Sequence, residues 1–255
     1  MMIDSHCHLN DLRFGSQQQQ LIDHAIAAGV TAIVVPAADP ADWPLLGQLS
    51  DRFDTLHTAF GIHPWYCADA NQTTLGRLRQ MIEQHPAVAI GECGLDFDRR
   101  RLQQAPAEQQ QHIFQQQIDL ARERQLPLII HSHKSLDQVT RMLRRANASR
   151  GVVHRFSGSL QQAQRLIDLG FYIGVAAAIT YPAQQRLRDT LVQLPVERLL
   201  LESDAPDLPP ASRRGQLNRP EYLPEILASL AGLLQVPAAV LAEQTTRNST
   251  ALFGL

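Results

Sequence analysis

Short apolar runs alternate along the chain with longer stretches in which apolar residues recur at helical spacing. The short runs fall at 2–6, 31–36, 55–60, 87–91, 127–131, 151–154, 171–175 and 198–202, and they read as eight strands. Helical patterns lie between them near 17–28, 40–52, 72–84, 106–125, 135–146, 159–169, 183–193 and 221–234. A last one follows at 237–251. Runs such as Thr31–Pro36 and Arg198–Glu202 carry apolar residues without alternation. Strands of that kind are buried on both faces, which marks a parallel sheet flanked by helices. The repeated β-α order predicts a closed (β/α)8 TIM barrel with an extra C-terminal helix packed outside it. An open doubly wound sheet is the competing architecture. It is disfavoured because no glycine-rich phosphate turn follows the first strand. No linker or internal repeat divides the chain, so residues 1–255 are expected to form one domain.

Composition adds limits rather than chemistry. The chain is 44% hydrophobic and 19% charged, enough apolar content for one large core. A net charge of -2 leaves no global basic field, so binding of an anionic polymer would need a local patch. Cys7, Cys67 and Cys93 are few and widely spaced, which argues against a disulfide framework and for a reducing compartment. There is no leader-like N-terminus and no run of 18 apolar residues. A cytoplasmic protein without a membrane partner is expected, and no obligate protein partner is evident. The glutamine-rich pieces Gln17–Gln20 and Gln109–Gln117 read as solvated helix faces. Ser135 and Ser159 stand where helix N-caps are expected.

The polar residues gather where the predicted strands end, which is where barrels of this kind carry their chemistry. The first strand runs into Asp4-Ser5-His6-Cys7-His8. Alternate side chains share a strand face, so His6 and His8 point one way and Cys7 the other. The third strand ends in His63, the fourth in Glu92 and Asp96, the fifth in His131 and His133, the sixth in His154, and the eighth in Glu202 and Asp204. Of ten histidines, only His24, His57, His85 and His112 lie elsewhere. The set suffices for two divalent cations. His6, His8 and Asp204 can hold one, His131 and His154 the other, and Glu92 has two oxygens with which to bridge them. Imidazole and carboxylate donors suit Zn, Mn, Fe or Co, whereas a site for Mg alone more often lacks imidazole. Cys7 and Cys93 read as packing residues, and Asp4 as a hydrogen-bonding support behind the ligands.

These residues carry a family resemblance. Asp4-x-His6-x-His8, Gly61-x-His63-Pro64, Gly91-Glu92-x-Gly94-Leu95-Asp96, His131, Gly151-Val-Val-His154-x-Phe156-Ser157-Gly158, Leu201-Glu202-Ser203-Asp204-Ala205-Pro206 and Asn218-Arg219-Pro220 run in the order found in the TatD family of metal-dependent hydrolases. The chain resembles that family along essentially its whole length. The resemblance implies a (β/α)8 barrel, a binuclear centre of two divalent cations (Zn, Mn or Mg), and deoxyribonuclease activity among its relatives. It implies His6, His8, Glu92 and Asp204 around a first metal, and Glu92, His131 and His154 around a second. The chain departs from the family pattern after His131, where it reads Ser132-His133-Lys134-Ser135.

The expected activity is a phosphodiesterase of the 3'-5' exonuclease type acting on single-stranded DNA ends or another phosphodiester. Asp204 would serve as general base and Glu92 as the bridging catalytic ligand. His63, Glu202, Arg155 and Arg219 are candidate substrate contacts. Lys134, the Arg99–Arg101 run, Arg213 and Arg214 could add phosphate contacts, and Trp65, Tyr66, Phe97 and Phe156 could stack on a base. One alternative is an amidohydrolase-type enzyme acting on a small amide, ester or lactone, since loops set the substrate class. Another is a non-catalytic metal-dependent binding protein, which would be expected to lack a ligand or the base.

Overall fold

The computed structural model describes all 255 residues. Eight parallel strands form one sheet in sequential order: β1 (Met2–Asp4), β2 (Val30–Pro36), β3 (Leu56–Phe60), β4 (Ala87–Asp96), β5 (Leu128–His133), β6 (Gly151–Val153), β7 (Tyr172–Val175) and β8 (Leu199–Leu201). The last strand returns to the first through backbone bonds. Ser5 N–H donates to Leu201 O at 2.9 Å and Asp204 N–H to His6 O at 2.9 Å, which nearly closes the barrel. The helices are α1 (Gln18–Ala27), α2 (Trp43–Arg52), α3 (Gln72–Gln84), α4 (Arg99–Gln104), α5 (Ala107–Arg124), α6 (Leu136–Arg145), α7 (Leu160–Asp168), α8 (Gln185–Leu191), α9 (Leu223–Leu234) and α10 (Ala238–Phe253). The (β/α)8 order predicted from the hydrophobic pattern is the order observed. No single helix is long and apolar enough to cross a membrane.

Two layers of apolar packing hold this frame. The larger lies between strands and helices and contains Trp43, Phe60, Phe114 and Phe171, all fully buried. The smaller joins Val34, Ala59, Ala89, Ile129, Val152 and Leu200 to Leu252 and Phe253. The end of α10 therefore packs against strand residues set apart from the outer core, rather than lying wholly outside the barrel as expected. Ala59 and Ala89 are small, and this leaves room for the two large side chains of α10. Asn248 fixes the helix there by donating to Val196 O and Leu199 O, each at 2.8 Å.

Strand ends differ from the sequence expectation in ways that matter for the site. β4 and β5 run longer, pairing as far as Asp96 with His133. β1 stops at Asp4, so His6 and His8 lie beyond the regular strand, although Cys7 N–H still bonds Val34 O at 3.0 Å. The Arg99–Arg101 run is not loop. It opens α4, with the Asp98 side chain accepting from Arg100 N–H as N-cap. Ser159 caps α7 through a reciprocal pair with Gln162. Ser135 precedes α6 but makes no cap bond, since its hydroxyl donates to Leu95 O at 2.7 Å.

The glutamine-rich segment of α5 is the largest departure. Gln110 and Gln117 are fully buried, not solvated. Each makes a two-way backbone clamp. Gln117 accepts from Ile62 N–H at 2.8 Å and donates to Ile62 O at 3.1 Å. Gln110 does the same to Asp96, at 2.8 and 3.0 Å. A carboxamide has both a donor and an acceptor, so it can satisfy a strand end that has lost its ladder partner. The two clamps sit seven residues apart on one helix face and fix the ends of β3 and β4 beside the site.

Candidate metal centre

Glu92, from β4, stands at the middle of the C-terminal face and is 2% exposed. Its two carboxylate oxygens face different groups. Oε2 lies 3.4 Å from His6 Nε2 and 3.4 Å from His8 Nε2, and those two nitrogens are 3.1 Å apart. Asp204 Oδ1 closes on the same pair at 3.8 and 3.9 Å. Oε1 lies 2.8 Å from His154 Nε2, 3.1 Å from His131 Nδ1 and 3.3 Å from His63 Nε2. His131 Nδ1 and His154 Nε2 are 3.5 Å apart. Donors bonded to one ion at about 2.0–2.1 Å stand roughly 3–3.5 Å from one another. The histidine nitrogens and the Glu92 oxygens of both groups keep about that spacing, with Asp204 Oδ1 a little farther out, so the residues fit a cation on each side of Glu92.

Glycines let the strands approach this closely. A Cβ on Gly94 would come 2.1 Å from His131 O, so only glycine lets β4 and β5 bring Glu92 and His131 together. A Cβ on Gly174 would meet Glu202 Oε2 at 2.6 Å, where that carboxyl packs beneath His154.

The electrostatics ask for positive charge. Burial raises the Glu92 carboxyl, but His154, His63, His6 and His131 outweigh it and hold the group well below the usual carboxylate range. Burial alone would lower His8 and His131. For His8, Glu92, Asp204 and Asp207 reverse this and push it up to about 9. For His131, Asp96 and Glu92 do the same, also to about 9. His6 is lowered to about 3 by burial and the neighbouring His154, and His63 to about 4, chiefly by burial. Each group thus contains one imidazole that draws a proton and at least one that stays neutral as a ligand must. A divalent cation would meet the same demand.

Around these donors, supporting bonds fix position. Asp4 Oδ1 accepts from Ser203 N–H at 2.9 Å and His6 N–H at 3.3 Å, tying the first and last strands together behind the histidines. Asp96 Oδ2 lies 3.3 Å from His131 Nε2 and accepts from Trp65 Nε1 at 2.7 Å. Glu202 Oε1 lies 3.8 Å from His154 Nδ1 and accepts from Arg155 N–H. Lys134, Arg155 and Asp204 follow their strands with φ of 55°, 45° and 56°, the left-handed region that non-glycine residues enter at a cost of about 1–2 kcal/mol.

The sequence of this chain matches the family described as TatD related DNase over residues 3–254. The chain belongs to the TatD family. It is 39% identical to a metal-dependent hydrolase of Escherichia coli named YjjV, over 99% of this chain and 98% of that one. It is 30% identical to the 3'-5' ssDNA/RNA exonuclease TatD of Pantoea ananatis over the full length of both. The crystal structure of the Escherichia coli YjjV protein superposes with a TM-score of 0.95 at 38% identity, covering 100% of this chain and 98% of that one. A hydrolase of the TatD family from Entamoeba histolytica shares the fold, with a TM-score of 0.87 at 21% identity.

Within this TatD barrel the sequence-predicted residues divide. His6, His8, Glu92, His131, His154 and Asp204 converge, as the distances above record. His63 joins them, with its Nδ1 accepting from Trp65 N–H at 3.1 Å and its Nε2 turned to Glu92. Glu202 is fully buried, which removes it from any surface a substrate could touch; it lies behind His154 instead. Arg155 stands at the mouth with Nη1 3.1 Å from Asp204 Oδ2. Arg219 is not brought there. Its nearest carboxylate is Glu221 at 3.6 Å, and it lines neither mouth cavity. Phe156 is buried and Phe97 packs on the core, whereas Trp65 and Tyr66 are 40% and 41% exposed. The site residues that sequence reasoning missed are Gln110 and Gln117, hidden by a run of glutamines that looks low in complexity. Their only signal is spacing, because they fall on the same helix stripe as Phe114, Ile118 and Ala121.

Proposed function

We propose that this chain is a divalent-cation-dependent phosphodiesterase that removes nucleotides from the ends of single-stranded DNA or RNA, working in a cytoplasmic setting. The carrying observation is the division of Glu92, with one oxygen toward His6 and His8 and the other toward His63, His131 and His154. His6, His8, Glu92 and Asp204 would hold one cation; Glu92, His131 and His154 would hold the second. When bound, such cations bring the pKa of a coordinated water toward about 7 and neutralise charge developing on a phosphoryl oxygen.

The chain's own groups do the rest. Asp204 accepts the proton of the attacking water and later returns it to the leaving oxygen. Arg155 Nη1, 3.1 Å from Asp204 Oδ2, holds that carboxylate in place and presents its remaining N–H groups to the mouth for a phosphate. Asp96, 3.3 Å from Nε2, fixes the ring of His131, and the Glu202 carboxyl lies behind His154. The family likeness to a protein named an exonuclease for single-stranded DNA and RNA supports a nucleic acid substrate.

The test is turnover of single-stranded DNA, RNA and small esters with Mg, Mn and Zn, before and after chelation. Cleavage of the polymers is expected to be lost on chelation. Asp204→Asn is expected to lose about 10²–10⁴-fold in turnover. Near-normal activity of that variant would remove Asp204 as base, and turnover confined to small esters would replace the nuclease with an amidohydrolase-type enzyme.

A further inference from the structure

The metal centre opens into a cavity of about 180 Å³ that meets a larger one of about 780 Å³. Beyond Ser132, His133 and Ser157 a third cavity of about 560 Å³ begins, and beyond Asp137 and Arg141 a fourth of about 430 Å³. Each cavity shares wall residues with the next, so together they form one trough. It runs from the histidines, over the loop after β5, to the groove between α6 and α7.

The charge along this trough is uneven. Its carboxylates are already engaged. Asp96 meets Trp65 and His131, Asp98 takes Lys134 at 2.8 Å, and Asp137 faces Arg165 at 3.6 Å. Arg100, Arg141 and Arg144 line the trough with no carboxylate within 4 Å. Counted over the three outer cavities, seven arginine and lysine side chains stand against three carboxylates, although the chain as a whole carries a net charge of -2. Asp137, Arg141 and Arg144 share a face of α6, opposite the buried Val139 and Leu143. Lys134 is the only lysine in the chain and stands where the trough turns. At the inner end Trp65 is partly exposed, with the Arg101 guanidinium 3.6 Å above its ring.

We propose that this trough is an extended binding track for the non-reacting body of a single strand, whose end lies at the metal centre. The inference rests on the proposed nuclease function and deepens it. Unpaired guanidiniums give the backbone phosphates bidentate partners that nothing else on this chain occupies. Trp65, 40% exposed beside the centre with Arg101 over one face, is the aromatic side chain placed to contact the base nearest the reacting end. The net charge of -2 excludes binding by a general field, so the track is the local cationic patch that a polymer requires.

The experiment compares the metal-loaded wild-type protein with the double variant Arg141→Glu/Arg144→Glu, and with Arg247→Glu as a distant control. Turnover is measured on a thymidine dinucleotide and on an oligothymidylate of about twelve nucleotides. Binding is measured by anisotropy with a labelled phosphorothioate strand that resists cleavage. The wild type is expected to favour the long substrate. The double variant is expected to lose that preference while keeping dinucleotide turnover, with a salt slope about 1.4 shallower for two lost phosphate contacts. An unchanged length preference in the double variant overturns the track, as does wild-type binding of the long strand no tighter than of the dinucleotide. If neither substrate is cleaved but the strand binds through Arg141 and Arg144, the nuclease reading fails and the track stands.

Discussion

Replacing Gln117 with alanine should destabilise this protein out of proportion to the residue's polarity. Its carboxamide satisfies both the N–H and the C=O of Ile62, at 2.8 and 3.1 Å, in a fully buried environment. Truncation strands two backbone groups of Ile62 and leaves a void beside them. Each buried group left without a partner costs about 1–3 kcal/mol, so about 2–6 kcal/mol is expected for the two before any water enters the space. For a chain of this size 1 kcal/mol moves Tm by about 2–4 °C, which gives a fall of roughly 4–24 °C. The assay is thermal unfolding of Gln117→Ala beside Gln115→Ala. Gln115 sits on the same helix but bonds only the Asp119 side chain, in an exposed pair. Gln115→Ala should shift Tm by less than about 2 °C, the effect of a surface change within about 0.5 kcal/mol. Because Ile62 precedes His63, the Gln117 variant should also lose activity at temperatures where it remains folded. Equal Tm values for the two variants would refute the clamp.

Other expectations follow from burial and charge. Burial pushes the Cys67 thiol up to about 12 and holds the Cys7 and Cys93 thiols well above their ordinary value, so a thiol reagent at neutral pH should label none in the folded protein and all three after denaturation. Labelling at native rates equal to those in denaturant would contradict their burial. In the chelated protein, His8 and His131 have folded values of about 9, above the ordinary 6.5. Their contribution is present below about pH 6.5 and is lost as pH rises toward about 9, so chelated protein should become less stable across that window. Protein loaded with divalent cations should not follow this decline, and identical pH profiles for both forms would show that the histidines do not face the cations.

Much of this architecture was legible in the residue pattern. Short uninterrupted apolar runs bounded by turn residues read as strands covered on both sides, and their alternation with amphipathic helices leaves a barrel or an open doubly wound sheet. The chemistry was legible too, because strand ends in such a barrel all face one opening, so His6, His63, Glu92, His131, His154 and Asp204 could be expected near one another despite their distance in sequence. Distances and partners were not legible. Sequence alternation could not say that β1 would stop at Asp4, because pairing with β8 and β2 continues beyond it through single backbone bonds. Nor could it separate Glu202, buried under His154, from a residue open to substrate, or exclude Arg219 from the mouth. A polar residue looks the same in sequence whether it faces water or a buried carbonyl. That is why Gln110 and Gln117 read as solvated while the fold uses them to hold the ends of β3 and β4. Local pattern determined which residues line up along each element. Only tertiary packing decided which oxygen of Glu92 meets which imidazole, because that depends on the approach of strands that Gly94 and Gly174 permit.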